Sequence, residues 1–137
     1  MQLTISINKQ SIYSSIKLIT GYTSKNVGEN VDNIMASDDE TTLIDDLINA
    51  AVSTIVASKR KYVPVVSGNN ILFNVPNNFS SDIRKSIEES VERYITNKTL
   101  SDWFFISRLP EDSKHYTMLA DADMANVSNL FCSRTKS

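Results

Sequence analysis

Ser37-Asp38-Asp39-Glu40-Thr41-Thr42-Leu43-Ile44-Asp45-Asp46-Leu47-Ile48-Asn49-Ala50-Ala51-Val52-Ser53-Thr54-Ile55-Val56-Ala57-Ser58-Lys59-Arg60-Lys61 is the stretch that decides the fold class. It opens as a capping box: the Ser37 hydroxyl can accept the third helical amide proton, Glu40 can reach back, and the two aspartates suit the positive end of a helix. Leu43, Ile44, Leu47, Ile48, Ala51, Val52, Ile55 and Val56 then recur at i, i+3, i+4 spacing, which is one continuous apolar stripe. Lys59-Arg60-Lys61 complements the negative helix end, and Pro64 is expected to end the helix.

Downstream, Tyr62 to Val66 and Ile71 to Val75 flank Ser67-Gly68-Asn69-Asn70, a set of turn residues that tolerates positive φ, so the spacing predicts a β-hairpin closed by Pro76. A second long helix is expected from Ser80-Ser81-Asp82, carrying Ile83, Ile87, Val91, Tyr94 and Ile95 and continuing to Leu100, Trp103, Phe104 and Ile106. Pro110 sits where a first-turn proline is tolerated, and Tyr116, Leu119, Ala122, Met124, Val127, Leu130 and Phe131 follow as the apolar side of a third. Upstream, Leu3, Ile5 and Ile7 alternate as a strand. Asn8 caps a short helix through Ile12, Ile16 and Ile19 that Gly21 closes, and Tyr22 to Ser37, with Val27, Val31 and Ile34, is expected to be loop. The fold class is therefore mainly α: a bundle of three to four helices with a short N-terminal strand and an inserted hairpin. One domain covers residues 1–137, with 1–37 as an extension, 38–131 as the core and 132–137 as a basic tail.

Composition bounds the chemistry. At 137 residues, 41% hydrophobic and 22% charged, the chain has the balance of one globular domain. A net charge of -2 argues against gripping phosphate, which needs clustered Lys and Arg. The single Cys132 permits no internal disulfide and suits a reducing compartment. The N-terminal residues alternate rather than form an apolar run, so no signal peptide is expected, and no span is long and apolar enough for a membrane helix.

His115 is the only histidine, which limits any nucleophile-base arrangement to one base and excludes a multi-histidine metal site within one chain. Beside Glu111 and Asp112 it reads as a solvated side chain. Asp38-Asp39 and Asp45-Asp46 diverge around a helix rather than converge on one point, so capping and a solvated face explain them. Three glycines, Gly21, Gly28 and Gly68, cannot build a Walker loop or a dinucleotide fingerprint. No enzyme activity and no cofactor are expected. Trp103-Phe104-Phe105-Ile106 is different, because four consecutive large apolar residues cannot all face one core. Either the helix is buried on two sides, or Phe104 or Phe105 reaches another subunit.

The stretch Asp38-Asp39-Glu40-Thr41-Thr42-Leu43-Ile44-Asp45-Asp46-Leu47-Ile48-Asn49-Ala50-Ala51 resembles the opening helix of tailed-phage head-to-tail connector (adaptor) proteins, with the ring proteins of crAss-like and other short-tailed phages the nearest in pattern. Ile83 to Ile95 followed by Thr99-Leu100-Ser101-Asp102-Trp103-Phe104 is similar to that family's second long helix, and Leu130-Phe131-Cys132-Ser133-Arg134-Thr135-Lys136 to its basic tail. The likeness covers residues 38–137. Residues 1–37 have no counterpart, and the hairpin stands where the family often has a loop or short helix.

The resemblance implies a structural virion protein of the tail or neck, assembled in the host cytoplasm. It would form a homo-oligomeric ring, a dodecamer, between the portal protein and further tail or ring proteins, lining the channel through which DNA leaves without being specifically bound. Subunit contacts are expected at Asn69, Asn70, Ile71, Leu72 and Phe73 of the hairpin and at Phe104 and Phe105, and portal docking at Phe131, Arg134, Thr135 and Lys136. The competing expectations are a small regulatory protein that inhibits or modulates a host protein through its acidic helix, and an enzyme whose site a partner chain completes around His115.

Overall fold

The computed structural model describes residues 2–27, 41–75 and 81–133. The capping box at Ser37 to Glu40, Val31 and Ile34 lie outside the described residues. Among the described residues the chain is mainly α, with four helices and a small antiparallel sheet. In order, these are β1 (Gln2–Ser6), α1 (Lys9–Val27), α2 (Thr41–Ser58), a 3-10 turn (Arg60–Tyr62), β2 (Val65–Ser67), β3 (Asn70–Asn74), a second 3-10 turn (Ser81–Ile83), α3 (Arg84–Ile106) and α4 (Pro110–Ser133).

The hairpin forms as its turn residues dictate. Gly68 takes φ +60 and lets β2 fold back on β3 with Val65 opposite Leu72 and Ser67 opposite Asn70. A β-carbon at Gly68 would meet nothing within 4 Å, so Gly68→Ala is expected to cost only the left-handed backbone penalty, about 1–2 kcal/mol, measured by urea denaturation. The N-terminal strand is the third member of the sheet. β1 pairs antiparallel with β3, Leu3 opposite Phe73 and Ile5 opposite Ile71, giving the order β1-β3-β2. Leu3, Ile5, Ile71 and Phe73 are buried on one face, as the period-two alternation requires.

α3 is the central element: it packs against α1, α2, α4 and β1. Its buried side includes Ile87, Val91, Tyr94, Ile95, Leu100, Trp103 and Phe104. It meets α4 as an antiparallel helical hairpin, held by Asn97 Nδ2 to Asp123 Oδ2 at 2.7 Å, Asn126 Nδ2 to Ser90 Oγ at 2.8 Å and Ser113 Oγ to the Ser101 carbonyl at 2.9 Å. Ser101 and Thr117 hydroxyls also bond one another. The turn between the helices is a Schellman cap: Arg108 sits at φ 63, Leu109 N–H donates to the Phe104 carbonyl at 2.8 Å, and Arg108 N–H donates to Phe105.

Four expectations are corrected by this architecture. Gly21 does not close α1, which runs to Val27; a helix that has already nucleated carries one glycine at a cost of only about 1 kcal/mol, and α1 is anchored through Ile12 and Ile16. α2 ends at Ser58, before the 3-10 turn, rather than at Pro64. The inward line of α4 passes through Ser113, Ala120, Val127 and Phe131, leaving Leu119 and Ala122 exposed. Asp45 is not merely solvated, because the Tyr13 hydroxyl of α1 donates to its carboxylate and ties α1 to α2.

Candidate functional site

The sheet and the α3–α4 turn lie at opposite ends of the helical hairpin. Near the start of α3, Glu88 Oε2 accepts the Ser6 backbone N–H of β1 at 3.0 Å and Arg84 at 2.8 Å. Near the end of α4, the Phe131 ring stacks on Tyr62 at 4.8 Å between centroids and meets Phe73 edge-on at 5.1 Å. The turn at Ser107 and Arg108 closes the far end. From Glu88 to Phe105 the helix rises about 25 Å.

Each end carries exposed apolar side chains. At the turn end are Phe105 at 75% exposure, Ile106, Met118 and Leu119. Their neighbours Trp103 and Phe104 point inward, and Phe104 stacks on Tyr116 at 5.5 Å. Burial pushes the Tyr116 hydroxyl above its ordinary pKa, and Asp112 adds to the rise. His115 is exposed, its ring edge-on to Tyr116.

At the sheet end, β2 is an edge strand whose three residues are all exposed. Val65 and Leu72 pair across β2 and β3 and so share the face of the sheet opposite the core. With Gln2, Val63, Phe73 and Asn74 they line a shallow depression of about 390 Å³. Val63 is 63% exposed and sits at φ 45, ψ 59, its N–H bonded to the Arg60 carbonyl. A β-branched residue in the left-handed region is strained by about 1–3 kcal/mol. Arg60 and Lys61 are exposed beside it, whereas Lys59 turns inward and its ammonium donates to the Ser128 hydroxyl of α4. The basic run is thus divided between packing and surface.

A cleft of about 730 Å³ opens between β1, the start of α1 and α3, where Asn8, Lys9, Tyr13, Glu88, Glu89 and Glu92 meet. Asn8 Oδ1 accepts the Ser11 N–H at 3.1 Å and caps α1. Among the described residues, no group of three or more His, Cys, Asp or Glu side chains is placed to hold a metal ion. No described helix is long and apolar enough to cross a membrane.

The structure divides the residues singled out from sequence. Ile71, Phe73 and Phe104 are wholly buried within the chain, so their side chains are not available to a neighbouring subunit of the folded protein. Phe131, expected in a docking tail, is a core residue at 1% exposure. Arg134, Thr135 and Lys136 lie outside the described residues. Leu72 is half-buried on the outer face, Asn70 is half-buried, and Asn69 is exposed with its carbonyl holding the Ile7 N–H at 2.7 Å. Phe105 is presented to solvent. Sequence reasoning missed Val63, Val65, Val66, Ile106 and Met118; the adjacent pair Val65-Val66 carried a signal, since neighbours on a strand point to opposite faces of the sheet. No protein-family model, curated protein or solved structure matches the chain.

Proposed function

We propose that this chain is a structural subunit of a tailed-phage virion, forming a homo-oligomeric ring between the portal and the tail and surrounding the path of DNA exit. The observation that supports it is the pair of dissimilar exposed apolar patches at the two ends of the α3–α4 hairpin. Two different patches suit heterologous contacts, in which one end of a subunit meets the other end of the next, and such contacts close into rings when the rotation allows. A net charge of -2 suits a channel wall that DNA slides past, because sustained grip on phosphate needs clustered cations.

The test is to mix the purified chain with the portal protein of the same genome and image co-migrating particles by electron microscopy. A symmetric ring under the portal is the expected result. Absence of association with the portal or any other virion protein would instead favour a small regulatory protein acting on a host partner. Truncation should begin at Arg134, not at Phe131: loss of Phe131 removes core, and a missing ring would then report unfolding rather than lost docking.

A further inference from the structure

The two members of the α3–α4 hairpin are held unequally. α3 packs against α1, α2 and β1 as well as α4, whereas α4 packs along its length on α3. Among the described residues, the side chains that α4 buries are Ser113, Ala120, Val127 and Phe131, a thin line with Tyr116, Met124 and Leu130 half-buried beside it. Much of the seam is polar: Asn97 bonds Asp123, Asn126 bonds Ser90, and Ser101 bonds both Ser113 and Thr117. Water takes over such bonds when helices part, so each adds little to the docked state. Beyond α3, α4 reaches its neighbours near its C-terminal end, through Ser128 to Lys59 and through the Phe131 ring to Tyr62 and Phe73.

The turn that joins the two helices has the features of a joint. Arg108 sits in the left-handed region at φ 63, a conformation that costs a non-glycine residue and that opening releases. Pro110 biases Leu109 away from helical geometry, so α3 and α4 do not fuse when the turn is undone. We infer that α4 is a hinged strap: it swings out as one unit about Ser107 to Leu109 while the sheet, α1, α2 and α3 stay folded. Opening uncovers the side of α3 that carries Ser90, Asn97, Ser101 and Phe104, and vacates the place of the Phe131 ring beside Tyr62 and Phe73. A helix taken off its docking face loses most of its stability, so the amides of α4 open to solvent together. This motion needs no partner chain and does not depend on the assembly proposed above.

Native-state hydrogen exchange of the full chain, read by mass spectrometry, tests the strap. Amides of residues 116–131 are expected to exchange in concert and at least about tenfold faster than the slowest amides of α2 and α3. Two mild core variants separate the causes. Val127→Ala thins the docking line and should speed exchange across α4 by roughly tenfold or more, which residue-by-residue fraying from the helix end would not do. Ile44 is buried in the first turn of α2, next to Asp45, which holds Tyr13 of α1. Ile44→Val should speed the slowest amides of α2 and α3 roughly twofold to tenfold and leave α4 unchanged, because the core around Ile44 is intact when the strap opens. Amides of α4 as slow as those of α2 and α3, or accelerated with them by Ile44→Val, would overturn the inference, as would α4 exchange that ignores Val127→Ala.

Discussion

Phe131→Ala is expected to lower unfolding free energy by about 3–5 kcal/mol, a large part of the roughly 5–15 kcal/mol that holds a domain of this kind together. The ring is 1% exposed and joins three elements: α4, which bears it, the 3-10 turn through Tyr62 and the sheet through Phe73. Removing it loses two aromatic contacts and leaves a cavity where the sheet sits on the helices, and well-packed neighbours collapse into such a space only in part. The check is a urea titration followed by circular dichroism, reading the midpoint at unchanged slope. Phe131→Leu should lose less, because leucine refills part of the volume. A loss under about 1 kcal/mol would mean that the last turn of α4 is not seated in the core, and would return Phe131 to the candidates for partner docking.

The neighbouring aromatics Phe104 and Phe105 should separate sharply in the same assay. Phe104→Ala removes a wholly buried ring stacked on Tyr116 and is expected to cost about 3–5 kcal/mol. Phe105→Ala removes a ring that is 75% exposed, and its effect on stability should stay within about 0.5 kcal/mol. The two residues differ by a single helical step of 100°, so the contrast tests which way that part of α3 faces. Equal losses would show that Phe105 is covered within the chain itself. An unchanged stability with weakened association is the signature of a surface kept for a partner.

Much of the fold was legible because it is written in local patterns. The apolar stripe from Leu43 to Val56 repeats at helical spacing and becomes α2; the turn residues around Gly68 require a left-handed backbone and become the hairpin; Pro110 opens α4 because a first-turn proline forfeits no helical hydrogen bond. The alternation of Leu3, Ile5 and Ile7 likewise marks β1 and its buried face. In the candidate surfaces, only the impossibility of burying all four residues from Trp103 to Ile106 on one side was visible beforehand.

By itself, then, the sequence determined that β1, the apolar-striped α2, the hairpin and the two long helices α3 and α4 form, that glycine loops and histidine clusters are absent, and that some of the aromatic run must face outward. Tertiary structure alone decided that β1 completes the hairpin's sheet, that α1 continues past Gly21, that Phe131 is core rather than tail, that Asp45 is held by Tyr13, and that Phe105 rather than Phe104 meets solvent. The reason is one of range. Periodicity, caps and turns depend on residues a few positions apart, whereas burial depends on what lies across the interface. The partner of Phe131 is Phe73, 58 positions away in the chain, and no local pattern encodes that meeting.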